Sequence, residues 1–103
     1  MKTKKEIALD IYDSGETLYL IVATHIDTLL LPEHLYEKKF VVLKLSNNFE
    51  NPVEFQTTQI STTLSFNKQY HKVEIPYESL ISMFNEDKTK FYLFEDVEAP
   101  DEE

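Results

Sequence analysis

The apolar residues of this chain come in short runs, and that limits what it can fold into. The longest uninterrupted run, Leu18–Ala23, has six residues. A membrane span takes about 20 apolar residues, and no such run is present. Short runs separated by polar positions fit the strands of a small antiparallel sheet, each burying one face against its neighbours. With 103 residues the chain has room for one such domain. An apolar content of 42% is enough to build a core for it.

The signals between the runs place the elements. Thr3 and Glu6 form a T-x-x-E capping box, in which a hydroxyl and a carboxylate satisfy unpaired backbone donors at a helix start. Ile7, Ala8, Ile11 and Tyr12 follow at helical spacing, and Gly15, the only glycine, sits where a left-handed C-terminal cap would want it. The pattern predicts a short helix ending near Asp13 or Ser14. Residues 17–24 predict a buried strand, and the stretch after it a loop with one helical turn opened by Pro32. Phe40–Leu45 reads as a second strand and 46–52 as turn chemistry. Residues 53–56 and 60–66 read as a hairpin. On its second strand Ile60, Thr62, Leu64 and Phe66 share one face, and Ser61, Thr63, Ser65 and Asn67 the other. Residues 72–75 alternate again, Pro76 predicts a helix carrying Tyr77, Leu80, Ile81 and Phe84, and 91–94 form a last aromatic strand.

The expected fold class is mainly β (α+β). It is a strongly bent sheet or partly open antiparallel β-barrel, with a short N-terminal helix and a peripheral helix before the last strand. The domain is expected over 1–96, with an acidic flexible tail over 97–103.

Composition excludes several functions. Residues 95–103 supply six of the 19 acids and no base, leaving 13 acids against 10 bases, a charge of −3, on the rest. Such a body offers no basic stripe for phosphates, so no nucleic-acid partner is expected. There is no cysteine, hence no disulfide, thiolate metal site or cysteine nucleophile. With no apolar signal segment behind the lysine-rich start, the chain reads as cytoplasmic and without a membrane partner. His25, His34 and His71 do not pair at metal-ligand spacing, and His34 with Glu37 alone would give too few ligands, so neither metal nor cofactor is expected. Hydroxyls cluster at Ser61, Thr62, Thr63 and Ser65, but none stands in a nucleophile elbow and no glycine-rich loop exists. An enzyme is not expected. What remains is a surface: the edge and small-residue face of strand 60–67, beside Leu29, Leu30 and Leu31, could accept an extended peptide. Leu29–Leu31 could instead close the core and leave the hydroxyl face wet.

Taken in order, the segments LYLIVAT, LLLPEHLYEKKFVVLKLS, NPVEFQTTQISTTLSFN, HKVEIPYESLISMF and FYLFED resemble the stringent starvation protein B (SspB) family, above all its alphaproteobacterial branch. The resemblance covers residues 17–96. Its most telling pieces are Leu29-Leu30-Leu31-Pro32, the strand TLSFN at 63–67 and the V-x-I-P of Val73 to Pro76. It implies an SH3-like or Sm-like, partly open barrel and a homodimer that binds the ssrA degron, the tag added by tmRNA to stalled products. The tag lies extended in a groove, an aromatic tag residue occupies an apolar pocket, and the cargo is tethered to ClpX for proteolysis by ClpXP. Carried over by position, Leu29, Leu31 and Pro32 match one side of that groove and Thr63, Leu64, Ser65 and Phe66 the other. Leu43 and Leu45 are floor residues or pure core. The stripe Ile7, Ala8, Ile11 and Tyr12 forms the dimer interface or packs on its own barrel. The acidic tail stands where the family has a linker to a ClpX-docking peptide. The competing readings are an Sm-like or SH3-like module for RNA or another peptide, and a relative that has lost delivery.

Overall fold

The structure is a computed structural model that describes residues 2–46 and 52–94. Most of the turn expected over 46–52 and the tail expected over 97–103 lie outside the described residues.

Helix α1 spans Lys4–Asp13 and carries the expected caps. The Glu6 amide donates to Thr3 Oγ1 at 3.1 Å, and the Thr3 amide donates to Glu6 Oε1 at 3.0 Å. At the other end the Ser14 hydroxyl donates to the Ile11 carbonyl, and Gly15 turns the chain at φ 86°. A Cβ would clash there, which accounts for the position of the single glycine.

Seven strands follow among the described residues: β1 (Leu18–Ala23), β2 (Phe40–Leu45), β3 (Glu54–Phe55), β4 (Gln59–Phe66), β5 (Gln69–Pro76), β6 (Leu80–Phe84) and β7 (Phe91–Leu93). They form two antiparallel sheets, ordered β2-β1-β6-β7 and β3-β4-β5. Leu18, Leu20 and Val22 of β1, Leu43 and Leu45 of β2, and Leu80 and Met83 of β6 face Ile60 and Leu64 of β4 and Val73 and Ile75 of β5 in one core cluster. The fold is therefore mainly β, a small SH3-like barrel left partly open because the two sheets share a core without sharing one ladder. No helix among the described residues is long and apolar enough to cross a membrane.

Two expectations are corrected. The helix expected after Pro76 is a single 3-10 turn, Tyr77–Ser79, leading directly into β6. The cause is a β-bulge: β1 pairs Ile21 with Ser82 but Val22 with Leu80, so Ile81 is an extra residue. The bulge turns both Leu80 and Met83 inward, three residues apart, and this spacing imitates a helical period. The second correction concerns the stripe on α1. Ile7, Ala8 and Ile11 are buried in the domain's own core, and the Tyr12 ring packs 5.3 Å from that of Phe55. A helix has one apolar face, and this one is already used, so these residues are not a free dimer interface.

The β4–β5 hairpin was only half expected. Its turn is Asn67-Lys68, both at positive φ (52° and 67°), between the paired residues Phe66 and Gln69. This is the twist-matched geometry that two-residue hairpins prefer, and it extends β5 well beyond residues 72–75.

The other hairpin turn, between β6 and β7, is tied to the start of β1 by a polar network. The Asn85 side chain donates to Glu16 Oε2 at 2.6 Å and accepts from the Lys90 amide at 2.9 Å, while Lys90 Nζ reaches Glu16 Oε1 at 2.9 Å. The hydrogen bond from Asn85, followed by those from Lys90 and Ser14, depresses the Glu16 carboxyl from 4.5 to about 2.

Two outcomes follow. Ile11→Ala leaves a void where α1 meets both sheets and should lower unfolding stability by about 2–5 kcal/mol, measured by urea denaturation. Because Glu16 titrates lower when folded than when unfolded, its contribution is complete above about pH 4.5 and is lost as the pH falls toward 2. The gap in melting temperature between wild type and Glu16→Gln should therefore close over that window.

Candidate functional site

The segment between β1 and β2 is laid along the outer edge of β5. The Leu30 amide donates to the Glu74 carbonyl at 2.8 Å, and the Glu74 amide donates to the Leu30 carbonyl at 3.0 Å. Leu29 and Leu31 point the other way and are buried, so three successive residues behave as a very short strand. Tyr36, in the 3-10 turn Glu33–Glu37, holds the segment in this shape. Its hydroxyl donates to the Leu29 carbonyl at 2.7 Å and accepts from the Leu31 amide at 2.8 Å.

This pairing reveals which way the edge faces. Glu74 directs both backbone groups toward Leu30, and in an antiparallel ladder that orientation recurs at every second residue. The N–H and C=O of Lys72 and Tyr70 therefore point outward as well. Pro32 has no N–H and the 3-10 turn leads the chain away, so among the described residues these outward groups stay unpaired.

Beside this open edge lies a cleft of about 450 Å³ between the 3-10 turn and the tip of the β4–β5 hairpin. Pro32, Glu33, His34 and Glu37 line one side, and Phe66, Asn67, Gln69 and His71 the other. The Phe66 ring sits between two imidazoles, 6.4 Å from His34 at 78° and 6.1 Å from His71 at 58°. The cleft thus offers an aromatic surface for an apolar or aromatic side chain, flanked by imidazole and amide groups that can bond to a peptide backbone.

Of the residues expected to hold a peptide, Pro32 and Phe66 meet in this cleft. Leu29, Leu31, Leu43, Leu45 and Leu64 are buried; Leu45 and its neighbours are core, not floor. Thr63 and Ser65 pair with Lys72 and Tyr70 on the opposite face of β4 from Phe66. The small polar face of the strand and the cleft therefore look in different directions. His34 and His71, weighed in the sequence only as metal ligands, and Tyr36 are the residues that sequence reasoning did not assign to the site. Strand alternation placed His71 on the same face as Val73 and Ile75, and this was the usable signal. Among the described residues, no group of three or more His, Cys, Asp or Glu side chains is arranged to hold a metal.

Tyr36→Phe removes both hydrogen bonds from the clamp and keeps the ring. It should cost about 1–2 kcal/mol and speed hydrogen exchange at the Leu30 and Glu74 amides more than at amides in β1.

No protein-family model matches the chain, and no curated protein matches it significantly.

Proposed function

We propose that this chain is a proteolysis adaptor of the SspB type, which binds the ssrA degron of tagged polypeptides and delivers them to the ClpX unfoldase of ClpXP without catalysing a reaction itself. The observation that carries this reading is the edge of β5 at Lys72 and Tyr70, unpaired among the described residues, next to a cleft lined by Phe66. An extended peptide can add to that edge through backbone hydrogen bonds, which supply affinity for any sequence. One side chain in two would then turn toward Phe66, His34 and His71, which supplies selectivity for an aromatic or apolar residue at that step. The order of the segments resembling the family, over residues 17–96, adds support from the sequence. In this reading the peptide lies along the cleft face of the hairpin, and Thr63 and Ser65 are bystanders.

Fluorescence anisotropy with a labelled ssrA peptide tests the proposal. Phe66→Ala should weaken binding by at least tenfold, or about 1.4 kcal/mol, while Ser65→Gln, on the opposite face, should stay within about twofold of wild type. A wild type that does not bind the peptide, or a Phe66→Ala variant that binds normally, rejects the site. Acceleration of ClpXP degradation of a tagged substrate separates an adaptor from a peptide-binding relative that has lost delivery.

A further inference from the structure

The cleft beside β5 gathers four titratable side chains around one aromatic ring. The imidazoles of His34 and His71 flank Phe66 at 6.4 and 6.1 Å between ring centres, and the carboxylates of Glu33 and Glu37 line the same space. Among the described residues none of the four is in a hydrogen bond or an ion pair, so none is committed to holding the fold. No lysine lines the cleft. Lys68 sits in the hairpin turn outside the lining, and Lys72 is on the opposite face of β5, 3.9 Å from Glu74. Lys38 and Lys39 follow the 3-10 turn, Tyr36 is taken up in its clamp, and Tyr70 shares the face of Lys72. With both imidazoles neutral the lining carries a formal charge of −2, and with both protonated it carries none.

We propose that the cleft reads the charge next to the aromatic residue of its peptide, and that pH sets which charge it accepts. This rests on the peptide reading above. Side chains two apart on an extended peptide point the same way, so the neighbours of a residue seated on Phe66 lie along the same cleft. At this range, within about one Debye length of 10 Å at 0.1 M salt, charges still act on one another. Above neutral pH, Glu33 and Glu37 favour a lysine or arginine in those neighbouring positions and disfavour an aspartate or glutamate. Imidazoles change charge between about pH 8 and 5, while carboxylates keep theirs over most of that range. Acidification therefore places cations beside both glutamates, cancels the preference and admits an acidic peptide. The fold itself does not titrate away in this window through its polar network, because the Glu16 carboxyl is held at about 2.

Three labelled synthetic peptides test this by fluorescence anisotropy at about 0.1 M salt. They share an alanine-rich extended sequence with a central phenylalanine and differ only in carrying glutamate, glutamine or lysine two residues to either side. Comparing affinities between peptides at one pH removes any general effect of pH on the protein. At pH 8 the lysine peptide should bind at least about fivefold more tightly than the glutamate peptide, with glutamine between them. At pH 5.5 the two charged peptides should come within about twofold of each other. The double variant His34→Gln, His71→Gln should keep the fivefold ratio at both pH values, and Glu33→Gln, Glu37→Gln should lose it already at pH 8. A ratio in wild type that does not move with pH overturns the proposal, as does a pH response that survives removal of both histidines. In either case binding of the peptides leaves the cleft as a peptide site. Failure of all three peptides and of the ssrA peptide to bind at both pH values removes the peptide reading itself, and this inference with it.

Discussion

Each sheet in this domain is apolar on an inner face, and a two-layer arrangement of such short strands leaves its sides open to water. Pressing the inner faces together is therefore not enough, and α1 supplies the missing wall with Ile7, Ala8 and Ile11 in the same cluster as Leu18, Ile60 and Met83. The rest of the structure depends on this three-sided burial. It explains why the helix begins with a full capping box and ends on the only glycine: a ten-residue helix is marginal alone, and its ends must be secured for its apolar stripe to be held in place.

The candidate site inherits its shape from the core. Leu29 and Leu31 are anchored among buried residues, which sets Leu30 against the edge of β5 and forces the chain to leave that edge at Pro32. The clamp from Tyr36 fixes the same three residues from the outside. The cleft is thus bounded on one side by a turn whose neighbours Leu29 and Leu31 are in the core, and on the other by a hairpin end whose Phe66 packs against that core.

Much of this was legible in the residues. Thr3, Glu6 and Gly15 located the helix; the β-branched and aromatic runs located β1, β2 and β4; and alternation along β4 correctly separated Leu64 from Ser65. The parts that were not legible share a cause. Asn67-Lys68 adopts a turn usually signalled by glycine, so β5 read as shorter than it is. Leu80 and Met83 carry a spacing that belongs to a helix and to a bulged strand alike. Of the residues singled out in the sequence, Pro32 and Phe66 line the cleft. Whether Leu43 and Leu45 are floor or core, and whether Phe66 and Ser65 look the same way as the turn, are questions of three-dimensional register that a single strand does not answer.

The bulge at Ile81 has a wider meaning for how this sequence can change. Before it, β6 presents Leu80 to the interior; after it, Ser82 and Phe84 face outward and Met83 faces inward. One supernumerary residue therefore acts as a phase shifter between the two surfaces of the sheet. Removing it would not merely shorten a strand: either Leu80 or Met83 would have to exchange places with an outward neighbour. Substitutions at residue 81 can be tolerated by chemistry, but the length of the segment cannot drift, so insertions and deletions in the lineage of this fold should avoid the stretch from the 3-10 turn to Phe84.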